Sequence, residues 1–200
     1  TLTRDAAGLV VRATDGAGAT TEITRDARGL PTARRGPTGA VTRTVYDARG
    51  LVVEEHDPLG GVRRYLRDEH GNAVQMTEQG GAVWRCTYDY WGRTTAVIAP
   101  TGASIAYRHS NRGDLLSKTG PDGATSHYRY DGERHLVEQT DAAGRSVRLG
   151  WGGYHSICSR TDENGHTIRL AYDRECDLVT VANERGEEHR FTRNAMGNTI

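Results

Sequence analysis

The chain has 200 residues with 26 basic and 26 acidic side chains and a pI near 7.0. That balance excludes a dedicated nucleic-acid binder, whose Lys and Arg would gather on one basic face, and leaves no net charge to hold the chain unfolded. Leu, Ile, Val and Phe number only 33, enough for a thin wall rather than a thick core, and no apolar run approaches the ~20 residues that span a bilayer.

From its first residues the chain is periodic. A landmark recurs every 21 residues at Asp5, Asp26, Asp47, Asp68 and Asp89, then Ser110, Asp131, Gly152, Asp173 and Asn194. Glycine keeps the same period at Gly18, Gly39, Gly60, Gly81, Gly102, Gly123, Gly144, Gly165 and Gly186. Fixed self-similarity on this scale marks a repeat architecture, in which one unit is too small to bury its own apolar face.

Each cycle begins with a turn. Three residues after the landmark comes Gly8, Gly29, Gly50, Gly71, Gly92, Gly113 or Gly197. In such Asp-x-x-Gly segments the carboxylate accepts bonds from nearby backbone amides and Gly takes the positive φ that closes the bend. A short run follows, such as Leu51 to Glu55 or Leu115 to Lys118. A second turn comes next, clearest in Asp57-Pro58-Leu59-Gly60 and Gly120-Pro121-Asp122-Gly123. The second run, such as Gly61 to Leu66 or Ala103 to Tyr107, completes the cycle. Two five- or six-residue runs between turns predict an antiparallel β-hairpin repeated head to tail. Helices are excluded, because a turn about every ten residues leaves no segment long enough to sustain one.

The second run alternates. One column reads Thr44, Tyr65, Cys86, Tyr107, Tyr128, Leu149, Leu170 and Phe191, and just before it stand Arg43, Arg64, Arg85, Arg148, Arg169 and Arg190. Neighbours on a strand face opposite sides, so the sheet is expected to carry one aromatic and aliphatic face and one arginine-lined face. Tyr46, Tyr88, Tyr130 and Tyr172 precede the landmark in alternate cycles only, with Arg25, Arg67, His109, Trp151 and Arg193 in the others. The full unit is then two hairpins. Four strands per 42 residues also admit a β-propeller blade as the alternative fold.

Tyr46-Asp47-Ala48-Arg49-Gly50-Leu51, with Asp57-Pro58-Leu59-Gly60 leading to Tyr65, resembles the Rhs or YD-repeat family. The pattern recurs at Tyr88-Asp89-Tyr90-Trp91-Gly92, Tyr130-Asp131 and Tyr172-Asp173, and the resemblance covers the whole chain. It implies an all-β ribbon spiralling into a hollow shell that encloses a C-terminal toxin in bacterial polymorphic toxins. Similar repeats occur in the C components of insecticidal toxin complexes and in teneurins. The resemblance implies a single array over residues 1–200, a segment of a longer secreted or exported protein. Its partners would be the rest of the shell, the enclosed toxin and a secretion apparatus, of the type VI kind for example. A cell-surface or wall-associated adhesin binding carbohydrate is the alternative. An open spiral is expected to leave bonding edges at which the isolated segment associates.

No catalytic, cofactor-binding or metal-binding residue is singled out, and the chain is not expected to be an enzyme. The aspartates suit turns. The eight histidines form no column, and no HExxH, P-loop or GxSxG pattern is present. Cys86, Cys158 and Cys176 form no CxxC pair and read as buried or incidental thiols. Two features stay open. The arginine column is expected either to pair with carboxylates such as Glu54, Glu55 and Glu138 or to meet an acidic glycan, cargo or partner. Three successive cycles replace the glycine that follows the landmark with Arg134, His155 and Cys176, which reads either as drift at a tolerant turn or as a surface adapted for a partner.

Overall fold

The computed structural model describes residues 1–192 as strands and turns, with one short 3-10 turn at Gly153–His155. Arg193, Asn194 and Gly197 lie outside the described residues. The chain divides into two units, Thr1–Ser104 and Ile105–Ile200.

The first unit begins with β1 (Leu2–Arg4), β2 (Val10–Thr14), β3 (Thr20–Arg25), β4 (Pro31–Arg35) and β5 (Val41–Tyr46). It continues with β6 (Val52–His56), β7 (Val62–Arg67), β8 (Ala73–Thr77), β9 (Val83–Tyr88) and β10 (Thr94–Ile98). Each strand pairs antiparallel with the next. The second unit opens at its boundary with β11 (Ser104–His109), followed by β12 (Leu115–Thr119), β13 (Thr125–Tyr130), β14 (Leu136–Thr140) and β15 (Ser146–Trp151). It ends with β16 (Ile157–Thr161), β17 (Thr167–Tyr172), β18 (Leu178–Ala182) and β19 (Glu188–Arg190), again paired in succession.

One turn design makes both bends of the cycle. In the first, the Gly50 amide donates to the Asp47 carbonyl (3.1 Å) and the Asp47 amide to the Leu51 carbonyl (2.9 Å), with Gly50 at φ +83. In the second, the Gly60 amide donates to the Asp57 carbonyl (3.2 Å) and the Asp57 amide to the Gly61 carbonyl (2.9 Å). The landmark side chain completes the bend as the spacing predicts. Asp47 Oδ1 accepts from the amides of Arg49 (2.9 Å) and Leu51 (2.8 Å). Ser110 Oγ and Asn183 Oδ1 accept the equivalent pair of bonds. After the first turn the register slips: Val45 pairs with Glu54 but Tyr46 with Val52. Val53 is the extra residue of a bulge next to the left-handed Gly50, which adds local twist.

The propeller alternative is overturned. Blades need a break in pairing after every four strands, yet pairing runs through all ten strands of the first unit and all nine of the second. The reason is the shared turn design, which returns every strand to the edge of its predecessor.

Each unit is a single layer. Among the described residues no apolar side chain is fully buried. Arg43, Arg64, Arg85, Arg148 and Arg169 are exposed, while Thr44, Tyr65, Cys86, Tyr128, Leu149 and Leu170 are half-buried on the opposite face. That second face is less apolar than the column suggests. Register places Glu55 beside Thr44, Met76 beside Tyr65, Gln139 beside Tyr128 and Arg160 beside Leu149. The intervening strands interleave polar side chains with the column, and directly opposed residues share a face.

Candidate functional site

Three sets of side chains stand out, and two of them are structural. The first is the column before the landmark. Tyr46 Oη donates to the Pro31 carbonyl (2.9 Å) and Tyr88 Oη to that of Ala73 (2.9 Å). Arg67 Nε donates to Val52 (2.9 Å) and Trp151 Nε1 to Leu136 (2.8 Å). Every one of these bonds reaches back 15 residues. Tyr, Arg and Trp are therefore alternative donors to one carbonyl site, and the doubled period is chemical variation on a single-hairpin unit.

The second set is the arginine column, which is only partly paired. Arg64 Nε lies 2.9 Å from Glu54 Oε1, and Arg148 Nε lies 2.8 Å from Glu138 Oε1. Glu138 also takes Arg129 at 2.6 Å from the strand on its other side. Arg148 and then Arg129 hold the Glu138 carboxyl below its usual range, and Arg64 followed by His56 does so for Glu54. Glu55 does not serve the column as expected: it sits on the opposite face, receiving the Tyr65 hydroxyl (2.7 Å) and Arg63 (3.6 Å). Arg43, Arg85 and Arg169 make no ion pair among the described residues.

The third set departs from the repeat. In the regular cycles the turn glycine rests on the residue that ends the preceding turn. A Cβ on Gly29, Gly50 or Gly71 would stand 3.1, 3.3 or 2.9 Å from Leu9, Leu30 or Leu51. In the aberrant cycles this stack turns polar. Arg134 Nε meets Asp114 Oδ1 at 2.7 Å, and His155 Nδ1 meets His135 Nε2 at 2.6 Å. Arg134, His155 and Cys176 nonetheless keep the left-handed backbone, at φ 71, 56 and 66, and Tyr154 joins them at φ 57. Non-glycine residues there each cost roughly 1–3 kcal/mol.

His135 is held from three sides. Its Nδ1 contacts Asp131 Oδ2 at 3.0 Å, its ring stacks on Trp151 (centroids 4.6 Å apart, planes at 18°), and Glu133 Oε2 stands 3.8 Å from Nδ1. The amide of His135, ahead of its ring, depresses the Asp131 carboxyl. No histidine column foretold this cluster, because its members stand 20 residues apart, a diagonal across successive turns. The loss of the turn glycines was the available signal.

The cysteines are free, Cys86 and Cys158 half-buried and Cys176 exposed. In the first unit, Tyr90 (89% exposed) and Trp91 (62%) pack edge to face at a turn beside a shallow groove lined by Asp68, His70, Tyr88 and Asp89. Among the described residues no helix is long and apolar enough to cross a membrane.

A family model, RHS Repeat, matches residues 25–63, 46–83 and 109–146. Its matches fall on hairpins of both units, in the register that the turns define. Residues 25–83 and 109–146 are RHS repeats. No curated protein sequence matches the chain. Solved structures do. The crystal structure of TcdB2-TccC3-Cdc42 superposes over 97% of this chain with a TM-score of 0.81 at 13% identity. That of TcdB2-TccC3 gives 0.79 over 97% at 14% identity. The Photorhabdus luminescens Tc holotoxin pore with the TccC3-D651A mutation gives 0.58 over 99% at 14% identity. The likeness is one of fold. The chain spans 12% of the first two of these chains and 14% of the third.

Proposed function

We propose that the chain is a wall segment of a toxin shell, whose task is containment. Uninterrupted strand pairing within each unit, with no apolar side chain fully buried among the described residues, carries this reading. A lone layer leaves both faces in water and gains little from burial, so it gains stability by continuing into more of the same sheet. Similarity in fold to structures containing TcdB2 and TccC3 supports it. Under this reading the chain is not an enzyme, it is exported, and its partners are the remaining shell and a toxin domain carried beyond these repeats.

The test is protease protection in the full-length parent protein. The domain following the repeats is expected to resist digestion, and Thr44→Pro, which removes a ladder amide in the middle of β5, is expected to expose it. Equal digestion with and without the repeats contradicts containment. Tyr90 and Trp91, exposed beside their groove, favour a second reading in which the segment binds carbohydrate. That reading requires glycan binding that Trp91→Ala abolishes.

A further inference from the structure

We propose that His135, His155 and Glu133 form a binding site for one divalent transition-metal ion, of which Zn2+ is the type. One ligand atom from each of the three lies within 4.8 Å of the other two. The proposal is independent of containment, since it concerns a local staple between two successive turns.

The donor chemistry fits. Imidazole nitrogen with a carboxylate oxygen suits Zn2+ and its neighbours in the first row. His135 Nδ1 is committed to Asp131 Oδ2 at 3.0 Å. A proton on Nδ1 then leaves the lone pair on Nε2, the atom that faces His155. A carboxylate on the far nitrogen is the usual means of orienting a metal-binding histidine and raising its basicity. Trp151 stacks on the ring and is itself anchored by its bond to the Leu136 carbonyl.

The two facing nitrogens are 2.6 Å apart, a hydrogen-bonded separation. Two nitrogens on a tetrahedral Zn2+ stand about 3.3 Å apart, given Zn–N bonds near 2.0–2.1 Å. A small outward movement of exposed His155 therefore admits the ion. With the His155 proton carried on Nε2, its Nδ1 and His135 Nε2 each offer a lone pair to the ion. Glu133, 75% exposed, swings in as third ligand, and water takes the fourth place.

The local backbone supports the assignment. His155 holds a left-handed conformation where most cycles of the repeat use glycine, and Tyr154 beside it is left-handed at a position where the other cycles are not. Such strain gathers at functional positions. It places His155 over His135 where a glycine would meet a leucine. Metal binding would therefore tie the β13–β14 turn to the β15–β16 turn.

The experiment is titration of the metal-free chain with Co2+, followed by its visible absorption, and with Zn2+ in competition. One ion per chain is expected, with a tetrahedral Co2+ spectrum that Zn2+ abolishes. His155→Asn, whose Asn tolerates the left-handed backbone, and His135→Gln are each expected to weaken binding roughly tenfold or more. Glu133→Gln is expected to weaken it less, and His166→Asn, at another turn, not at all. Absence of the spectrum overturns the site. So does binding that survives His155→Asn unchanged, with circular dichroism confirming that the variant keeps its strands.

Discussion

At the residue scale the repeat depends on a few backbone positions and the atoms that serve them. Gly71 and Gly39 both lie at positive φ, but a Cβ on Gly71 would meet Leu51 at 2.9 Å whereas one on Gly39 meets nothing within 4 Å. Gly39→Ala is expected to cost about 1 kcal/mol from backbone strain alone, and Gly71→Ala about 2 kcal/mol or more, read as shifts in a urea midpoint. Cys176→Gly is the converse. It relieves φ 66 at an exposed site and is expected to gain about 1 kcal/mol after the entropy of the added glycine. The turn carboxylates add a pH dependence. The Leu51 amide, against the opposing effect of burial, holds Asp47 below its usual range, and Arg145 does so for Asp141. Folded values below unfolded ones mean this stability is complete above about pH 4 and lost as pH falls through the folded values. Asp47→Asn, which keeps the acceptor as Asn183 does, is expected to flatten the acid limb of a urea-midpoint profile.

At the scale of the element, hairpins were legible and their cross-links were not. Asp-x-x-Gly fixes a turn through bonds that span two and four residues, so a reading along the chain finds it. The donors reaching back 15 residues hid behind a change of residue type, because Tyr and Arg look unlike in sequence yet deliver a proton to the same carbonyl. That alternation of donors, read as a four-strand unit, is what made a propeller blade conceivable. Tyr88→Phe is expected to cost about 1 kcal/mol through the unmet Ala73 carbonyl, and Tyr88→Arg to restore most of it. Failure of Arg to rescue denies the equivalence. The His135–His155 pair was missed for a geometric reason. Columns compare residues at one phase, whereas side chains of adjacent turns meet on a diagonal.

At the scale of the molecule, each unit replaces a core with continuity. Net neutrality, sparse apolar residues and recurring turns all favour a sheet that grows by addition of hairpins. The sequence carried that much, while the mixed character of the half-buried face came from strands whose alternation is weaker, such as β6, where every residue is half-buried. Native-state amide hydrogen exchange tests the central claim most directly. Uninterrupted pairing gives protection on both sides of every interior strand, from β2 to β9 and from β12 to β18. Protection that drops to edge-strand levels after each fourth strand would contradict it.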